Sequence, residues 1–187
     1  MGAIEVNRKF LSWLIVLILV GIGIYSIWYL TPKRYTKTID GVFYQLGKEG
    51  VIEPIKMHLD GKLRTHINGK KSFHGAVEFE GKEVPQLPKD RTKLEMYYTG
   101  ENFSTILSTS RIIDAAGRVA PDFYFYGSIY INDDFTAFTI KVLVNESNDA
   151  ASPWSESDGY MITAPAKDRD EAMITSKELI KEFETKY

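Results

Sequence analysis

The chain has 187 residues, 44% hydrophobic and 13% aromatic, with 23 basic side chains against 25 acidic ones and no cysteine. A formal charge of -2 argues against the concentrated basic face that phosphate backbones require, so no nucleic-acid partner is expected. The lack of thiols excludes disulfide staples, cysteine catalysis and thiol redox chemistry.

A short tail, residues 1–9, precedes Phe10–Leu30, a run of 21 residues without a charge that lies between Arg8-Lys9 and Lys33-Arg34. As a helix rising ~1.5 Å per residue the run covers about 31 Å, which matches a hydrocarbon core of ~30 Å. Trp13, Tyr25, Trp28 and Tyr29 lie toward its ends, where amphipathic rings favour the headgroup layer. A cleaved signal peptide has a shorter apolar core, ~7–15 residues, and small residues after it. Here the run ends in the bulky Ile27-Trp28-Tyr29-Leu30, so an uncleaved transmembrane anchor is expected, with the lipid bilayer as its partner. Positive charge is nearly balanced across the run, with Arg8, Lys9 and the free terminus before it and Lys33, Arg34 and Lys37 after it. A short tail ahead of a long carboxyl-terminal part fits a signal anchor. The expected location is therefore a single pass of the plasma membrane, with the carboxyl-terminal domain on the extracytoplasmic side.

Residues 31–37, with Pro32 and three basic side chains, read as a juxtamembrane linker, and residues 38–187 as a single β-rich domain large enough to bury a core without staples. Ile39, Val42, Phe43 and Leu46 fit a helical spacing, yet the residue types suit a strand equally. Val51, Ile55, Met57, Leu59, Leu63, Thr65 and Ile67 occupy odd positions and Lys56, His58, Asp60, Lys62, Arg64 and His66 even ones, which is one long amphipathic strand. A turn at Asp60-Gly61 would scramble that apolar face, so Gly61 belongs inside the strand as a bulge or a close-approach point. Asn68-Gly69 is the turn. Keeping Phe73, Gly75, Val77 and Phe79 in phase requires a three-residue loop with Gly69 left-handed, which makes a hairpin of residues 51–67 with 72–79.

After a segment containing Pro85 and Pro88, Leu94 to Thr99 reads as a strand, while residues 103–119 are poorly patterned with a turn at Asp114 to Gly117. A second hairpin pairs Phe123 to Ile131 with Thr136 to Val144 across Asn132-Asp133-Asp134. Its first strand echoes Phe73–Phe79 in the pattern F-x-G-x-[VI]-x-[FI], which amphipathic strands with a central glycine share without being repeats. Asn145 to Gly159 is a long polar loop around Trp154, and loops of that length are often functional or disordered. Tyr160 to Ala164 reads as a short strand and Asp168 to Lys186 as a helix. Asp168 with Glu171 makes a capping box, and Ala172, Met173, Leu179, Ile180 and Phe183 form a stripe that packs on the sheet.

The residue types that could carry chemistry do not converge. His58 and His66 are eight positions apart on one strand, roughly 26 Å at ~3.3 Å per residue, and His74 registers with neither, so no metal site is expected from them. Asp133 and Asp134 lie in a turn. Glu146, Asp149, Glu156 and Asp158 lie in the polar loop without the ordered spacing of a calcium site. No hydrolase, metalloprotease or phosphate-loop motif occurs, so the catalytic residues are unknown and no cofactor is expected. Trp154 is the one candidate for a binding contact, because Trp is enriched at interface hot spots; a ring folded back onto the domain's own core is the competing reading.

At Leu59-Asp60-Gly61-Lys62-Leu63, Phe73-x-Gly75-x-Val77-x-Phe79-x-Gly81, Phe125-Tyr126-Gly127-Ser128-Ile129-Tyr130-Ile131 and Ile162-Thr163-Ala164-Pro165-Ala166, the chain resembles small single-pass membrane proteins of Gram-positive bacteria with no assigned function. The resemblance covers most of the exported part, implies a bacterial origin and supplies no catalytic residue. The expected fold class is α+β: a transmembrane helix, then a mainly antiparallel sheet with a carboxyl-terminal helix packed on it. The expected function is an accessory or binding domain of the cell envelope, with an envelope or membrane protein as partner. The alternatives are an envelope hydrolase with a carboxylate-based site and a cytoplasm-facing sensor or regulator.

Overall fold

The computed structural model describes residues 8–47, 51–113, 117–143 and 154–180. Helix α1 (Arg8–Leu30) is followed by eight strands: β1 (Lys33–Gln45), β2 (Ile52–Thr65), β3 (Lys71–Glu80), β4 (Leu94–Tyr98), β5 (Phe103–Ile113), β6 (Val119–Ile131), β7 (Phe138–Val142) and β8 (Tyr160–Ala164). Helix α2 (Arg169–Leu179) completes the described elements. Phe10–Leu30 has a mean hydropathy of 2.5 and none of it is buried against the protein, so α1 is long and apolar enough to cross a bilayer.

Every neighbouring pair of strands is antiparallel, and β8 returns to β1, so the sheet expected from the sequence is a closed up-and-down barrel. The seam is short, running from Val42↔Thr163 to Gln45↔Tyr160. Gly41 borders it: a Cβ there would stand 2.6 Å from the Thr163 carbonyl oxygen and 2.8 Å from the Ala164 Cβ. Only a residue without a side chain lets the first and last strands come that close.

Period-two patterning fills the barrel. Ile55, Met57 and Leu59 from β2, Phe73 and Val77 from β3, and Phe138, Ile140 and Val142 from β7 all point inward and are buried. An eight-stranded barrel is just wide enough to be packed by side chains or to enclose one small ligand. Here the bulk is aromatic: Phe135 stacks on Phe73 at 5.2 Å, meets Phe138 edge-on at 5.1 Å and closes the end of the barrel nearest α1. Gly61 and Gly75 face each other across β2 and β3, and a Cβ on either would lie 2.7 Å from the Phe73 ring. The pairing is in regular register, so Gly61 is a close-approach point and not a bulge.

The Ile67-Asn68-Gly69 loop has the expected form. His66 N–H donates to the Lys70 carbonyl at 2.8 Å, Gly69 N–H donates to the His66 carbonyl at 2.9 Å, and Gly69 takes φ +80°. Three expectations change. Residues 39–46, left between helix and strand, are strand. Residues 103–113, read as poorly patterned, form the long strand β5, because serines and threonines replace apolar residues at Ser104 and Ser108 on its inner face. Lys33–Lys37, read as linker, is the start of β1 and pairs with Leu59–Leu63. Tyr35 in that segment packs edge-on against Phe135 at 5.5 Å and Phe73 at 6.1 Å. The helix expected to run to Lys186 ends at Leu179 with Ile180 as its cap, while residues 114–116, Val144, the loop to Pro153, and residues 181–187 with Lys181 and Phe183 lie outside the described residues.

Helix α2 begins as the capping pattern requires. The Asp168 carboxylate accepts the Glu171 N–H at 2.9 Å, and the Glu171 carboxylate accepts the Lys167 N–H at 2.9 Å, one residue before the cap. Its Ala172 and the following Ile180 pack with Val42, Tyr44 and Met161 on the outer wall of β1 and β8. Tyr44, Thr163 and Thr139 form a buried hydroxyl chain behind them, with Tyr44–Thr163 at 3.4 Å and Thr163–Thr139 at 3.1 Å. Tyr44 also bonds Ser176 of α2, and burial pushes its phenol above the ordinary value.

Ile180 is fully buried, so Ile180→Ala should cost about 2–5 kcal/mol, whereas exposed Lys177→Ala should cost under about 0.5 kcal/mol in the same denaturant titration. A chain starting at Thr31 should unfold in one cooperative transition. One starting at Thr38 should lose about 2 kcal/mol with the Tyr35 ring, and equal midpoints for the two would show that Lys33–Lys37 adds nothing to the barrel.

Candidate functional site

The least regular point of the barrel lies in β6. Ile106 of β5 pairs with Gly127 but Leu107 pairs with Phe125, so Tyr126 is an extra residue in the strand. Such a bulge shifts the alternation by one. Beyond it, Ile129 and Ile131 point inward; before it, Tyr124 and Tyr126 do, and Phe123 and Phe125 are turned outward. In a regular strand of the same sequence all four odd-numbered apolar side chains would share a face.

The result is an apolar stripe on the outside of β5 and β6. Cross-strand partners Phe103 and Tyr130 lie at its anchor end with ring centroids 5.9 Å apart. Leu107 pairs with Phe125, Thr109 with Phe123, Arg111 with Pro121 and Ile113 with Val119 as the stripe runs to the far end. Phe123 and Phe125 are each half exposed, at 51% and 50%, and Ile113 and Val119 more so. Ten residue steps at ~3.3 Å make the stripe roughly 33 Å long. Among the described residues, β5 has no ladder to β4 beyond Glu95↔Leu107 and β6 none to β7 before Gly127, where the Leu143 N–H makes a further bond to the Tyr126 carbonyl at 2.9 Å. Among those residues the far part of the β5–β6 hairpin therefore extends past the paired wall of the barrel. Arg91, in the β3–β4 connection, braces it by donating to the Ser110 hydroxyl at 2.8 Å, the Asp122 carbonyl at 3.1 Å and the Asp122 carboxylate. The buried Arg91 guanidinium thus ties Ser110 and Asp122, facing residues of the hairpin, to the β3–β4 connection.

Trp154 stands beside the anchor end of this stripe. Its ring packs against the Val42, Tyr44 and Met161 cluster, its indole N–H donates to the Tyr160 carbonyl at 3.2 Å, and the Lys141 ammonium lies 4.6 Å above it. The same ammonium is 5.2 Å from the Tyr130 ring. Trp154 is thus folded back on the domain and half-buried. It borders the surface at Tyr130 and is not its centre.

The histidines are not brought together. His58 lies opposite Glu78, His74 opposite Lys62, and His66 beyond the end of β2. His58 bonds the Thr38 hydroxyl at 2.8 Å and Glu80 at 3.4 Å, His66 bonds the Ser72 hydroxyl at 2.8 Å, and His74 stacks on Tyr97 at 3.9 Å. Among the described residues no group of three or more His, Asp or Glu could hold a metal ion. Asp134 lies in the β6–β7 turn, where its carbonyl accepts Lys71 Nζ at 2.6 Å. Asp158 offers its carbonyl to Gln45 at 2.8 Å, and Glu146 and Asp149 are outside the described residues.

A separate open cleft of about 730 Å³ runs between β1, β2, the end of β3 and Ala166-Lys167, and holds Asp40, Glu53 and Glu80 together with Lys56, Lys82 and Lys167. Glu53 is committed to structure, since its two oxygens accept the N–H groups of Lys82 at 2.5 Å and Glu83 at 2.6 Å.

No protein-family model matches the chain, and no curated protein or solved structure matches it. The site is therefore read from its own geometry.

The Tyr126 hydroxyl is buried inside the barrel with no hydrogen-bond partner among the described residues, while its ring stacks on Phe79 at 5.1 Å. Burial drives its phenol far above the ordinary value near 10, with the neighbouring Tyr124 adding to the shift. The folded chain keeps this phenol protonated, whereas an unfolded one ionises near pH 10. Its contribution is therefore intact below that pH and falls as pH rises through it. Tyr126→Phe should raise stability by about 1 kcal/mol at neutral pH and weaken the loss of stability above about pH 10. Loss of stability in Tyr126→Phe in a thermal melt would show that the hydroxyl is bonded.

Proposed function

We propose that this protein is a membrane-anchored binding module whose barrel presents the outer stripe of β5 and β6 to a protein partner at the bacterial plasma membrane. The observation that carries the reading is the bulge at Tyr126, which turns Phe123 and Phe125 out to solvent on a braced hairpin. Burying those rings inside would have stabilised the barrel, at ~25 cal/mol per Å² of apolar surface, so their outward placement points to a use. Aromatic side chains surrounded by polar ones, here Thr105, Ser128, Thr109 and Arg111, form the kind of patch that anchors an interface.

The fold supports a static role. The barrel interior is filled by Phe43, Phe73, Tyr126, Phe135 and Phe138, so recognition is assigned to the outer wall. Helix α1 is long and apolar enough to span a bilayer, which supports a single-pass anchor; the barrel is proposed to lie on the extracytoplasmic face. A carboxylate-based hydrolase is the competing reading, favoured by the open cleft with Asp40, Glu53 and Glu80. The commitment of Glu53 to the Lys82 and Glu83 amides weighs against it.

Photo-crosslinking from position 123 or 125 in native membranes should capture a discrete partner, and Phe123→Ser with Phe125→Ser should abolish its co-purification. Because the rings are half exposed, the double change should alter stability by no more than about 1 kcal/mol. A folded double variant that retains its partners, with Asp40→Asn losing activity toward an envelope polymer, would replace the binding reading by the hydrolase.

A further inference from the structure

The register of β1 with β2 says where the β2–β3 hairpin goes. Strand β1 starts three residues after Leu30, the end of α1, and its first residue Lys33 pairs with Leu63. The strands are antiparallel, so β2 continues past Lys33 in the direction of the anchor before the chain turns at Ile67-Asn68-Gly69. Four further residues reach roughly 13 Å along the strand, or about 10 Å along the axis of a barrel whose strands tilt by ~40°. Strand β2 also touches α1, so the tip lies beside the anchor and not away from it. The polar layer on each side of the hydrocarbon is about 5–8 Å thick. A hairpin starting from the level of Lys33 therefore reaches into it.

The chemistry of the tip suits that position. Ile67 is 89% exposed, the highest value for a large apolar side chain among the described residues. Lys62 and Arg64 precede it on β2 and Lys70 follows it after the turn, with Lys33 and Arg34 on the adjoining strand. Arg34 pairs with Asp60 at 3.7 Å and Lys70 with Glu101 at 3.3 Å, both through exposed side chains. The adjoining loops of the same rim carry acidic residues, Glu101 in the β4–β5 loop and Asp133 and Asp134 in the β6–β7 loop, and they meet the hairpin at the Lys70–Glu101 pair and where Lys71 donates to the Asp134 carbonyl at 2.6 Å. The rim is thus basic and apolar beneath β1–β3 and acidic beneath β4–β7, and an anionic surface would draw the basic part down and repel the acidic part.

We propose that the β2–β3 hairpin is a second membrane contact: Ile67 enters the interfacial layer, Lys62, Arg64 and Lys70 lie on anionic lipid headgroups, and the barrel is held tilted on the bilayer. The proposal rests on the reading of α1 as an anchor and is independent of what docks on β5 and β6. Its consequence is orientation, because a tether through Thr31-Pro32 alone would leave the barrel free to turn, whereas two contacts fix which side of its wall faces away from the lipid.

The natural absence of cysteine makes the test direct. Full-length Ile67→Cys, labelled with a polarity-sensitive dye, is reconstituted in phosphatidylcholine vesicles with and without phosphatidylglycerol, and Ile113→Cys at the far end serves as reference. In anionic vesicles the label at 67 should emit to the blue and be quenched by acrylamide several-fold less than the label at 113. The protection should shrink in pure phosphatidylcholine, in Lys62→Glu with Arg64→Glu, and at about 1 M salt, where the screening length falls to ~3 Å. Equal quenching at the two positions in vesicles that carry the chain through flotation would overturn the hairpin contact and leave the anchor standing. Failure to float would overturn both. Protection at 67 that vanishes when the protein is diluted in lipid would identify a second copy as the cover and overturn the lipid contact.

Discussion

Closure of the barrel depends on the approach of β1 to β8 at Gly41. The seam is only four residues long, and the Thr163 carbonyl occupies the space that a β-carbon at position 41 would need. With the seam made, both edges of an eight-stranded sheet lose their unpaired backbone groups over that span, and the inward faces converge on a common interior. With it open, Phe43 and Ile162 would lose the cover that each strand supplies to the other. The helix α2 reinforces this point from outside. It lies on Val42, Tyr44 and Met161, the outward neighbours of the seam, and its Ser176 reaches the hydroxyl chain that ties Tyr44 through Thr163 to Thr139 of β7. Three strands and one helix are joined at this four-pair ladder.

A second constraint divides the molecule into a packed part and a presented part. Aromatic residues are abundant enough to fill the interior and leave some over, and the bulge at Tyr126 decides which go where. It brings a tyrosine inside at the cost of an unpartnered hydroxyl and sends Phe123 and Phe125 out. Buried polar groups without partners are expensive, and they persist where another requirement sets the backbone. Here that requirement is the course of the β5–β6 hairpin, which leaves the barrel wall beyond the bulge and is braced by Arg91 through Ser110 and Asp122. The core and the candidate surface are two consequences of one inserted residue.

The basic juxtamembrane stretch acquires a different meaning once it is strand. Lys33, Arg34 and Lys37 are carried at the start of the barrel wall, in fixed register with Leu59–Leu63, so their positions relative to the barrel are set by β-sheet geometry. The connection between α1 and the barrel is correspondingly short, with only Thr31 and Pro32 between helix and strand.

What the sequence determined by itself were the features that local physics dictates. The helix over Phe10–Leu30 is legible because its length and unbroken apolar composition are local properties, and the β2–β3 hairpin because period-two alternation and a left-handed Gly69 admit one register. The capping of α2 by Asp168 and Glu171 is legible for the same reason. Trp154 could be singled out, but its packing on Val42 could not, because Val42 is distant in sequence and comes beside Met161 only when the seam closes. Strand β5 was obscured by inward-facing Ser104 and Ser108, which break the hydrophobic alternation. The bulge was obscured because Phe123, Phe125, Ile129 and Ile131 look like one continuous face, and Gly127 was the only signal beside it. Closure, the division of aromatics between inside and outside, and the site on β5 and β6 were decided by tertiary structure, since each depends on which strands become neighbours, and neighbouring is a property of the whole sheet that no local pattern carries.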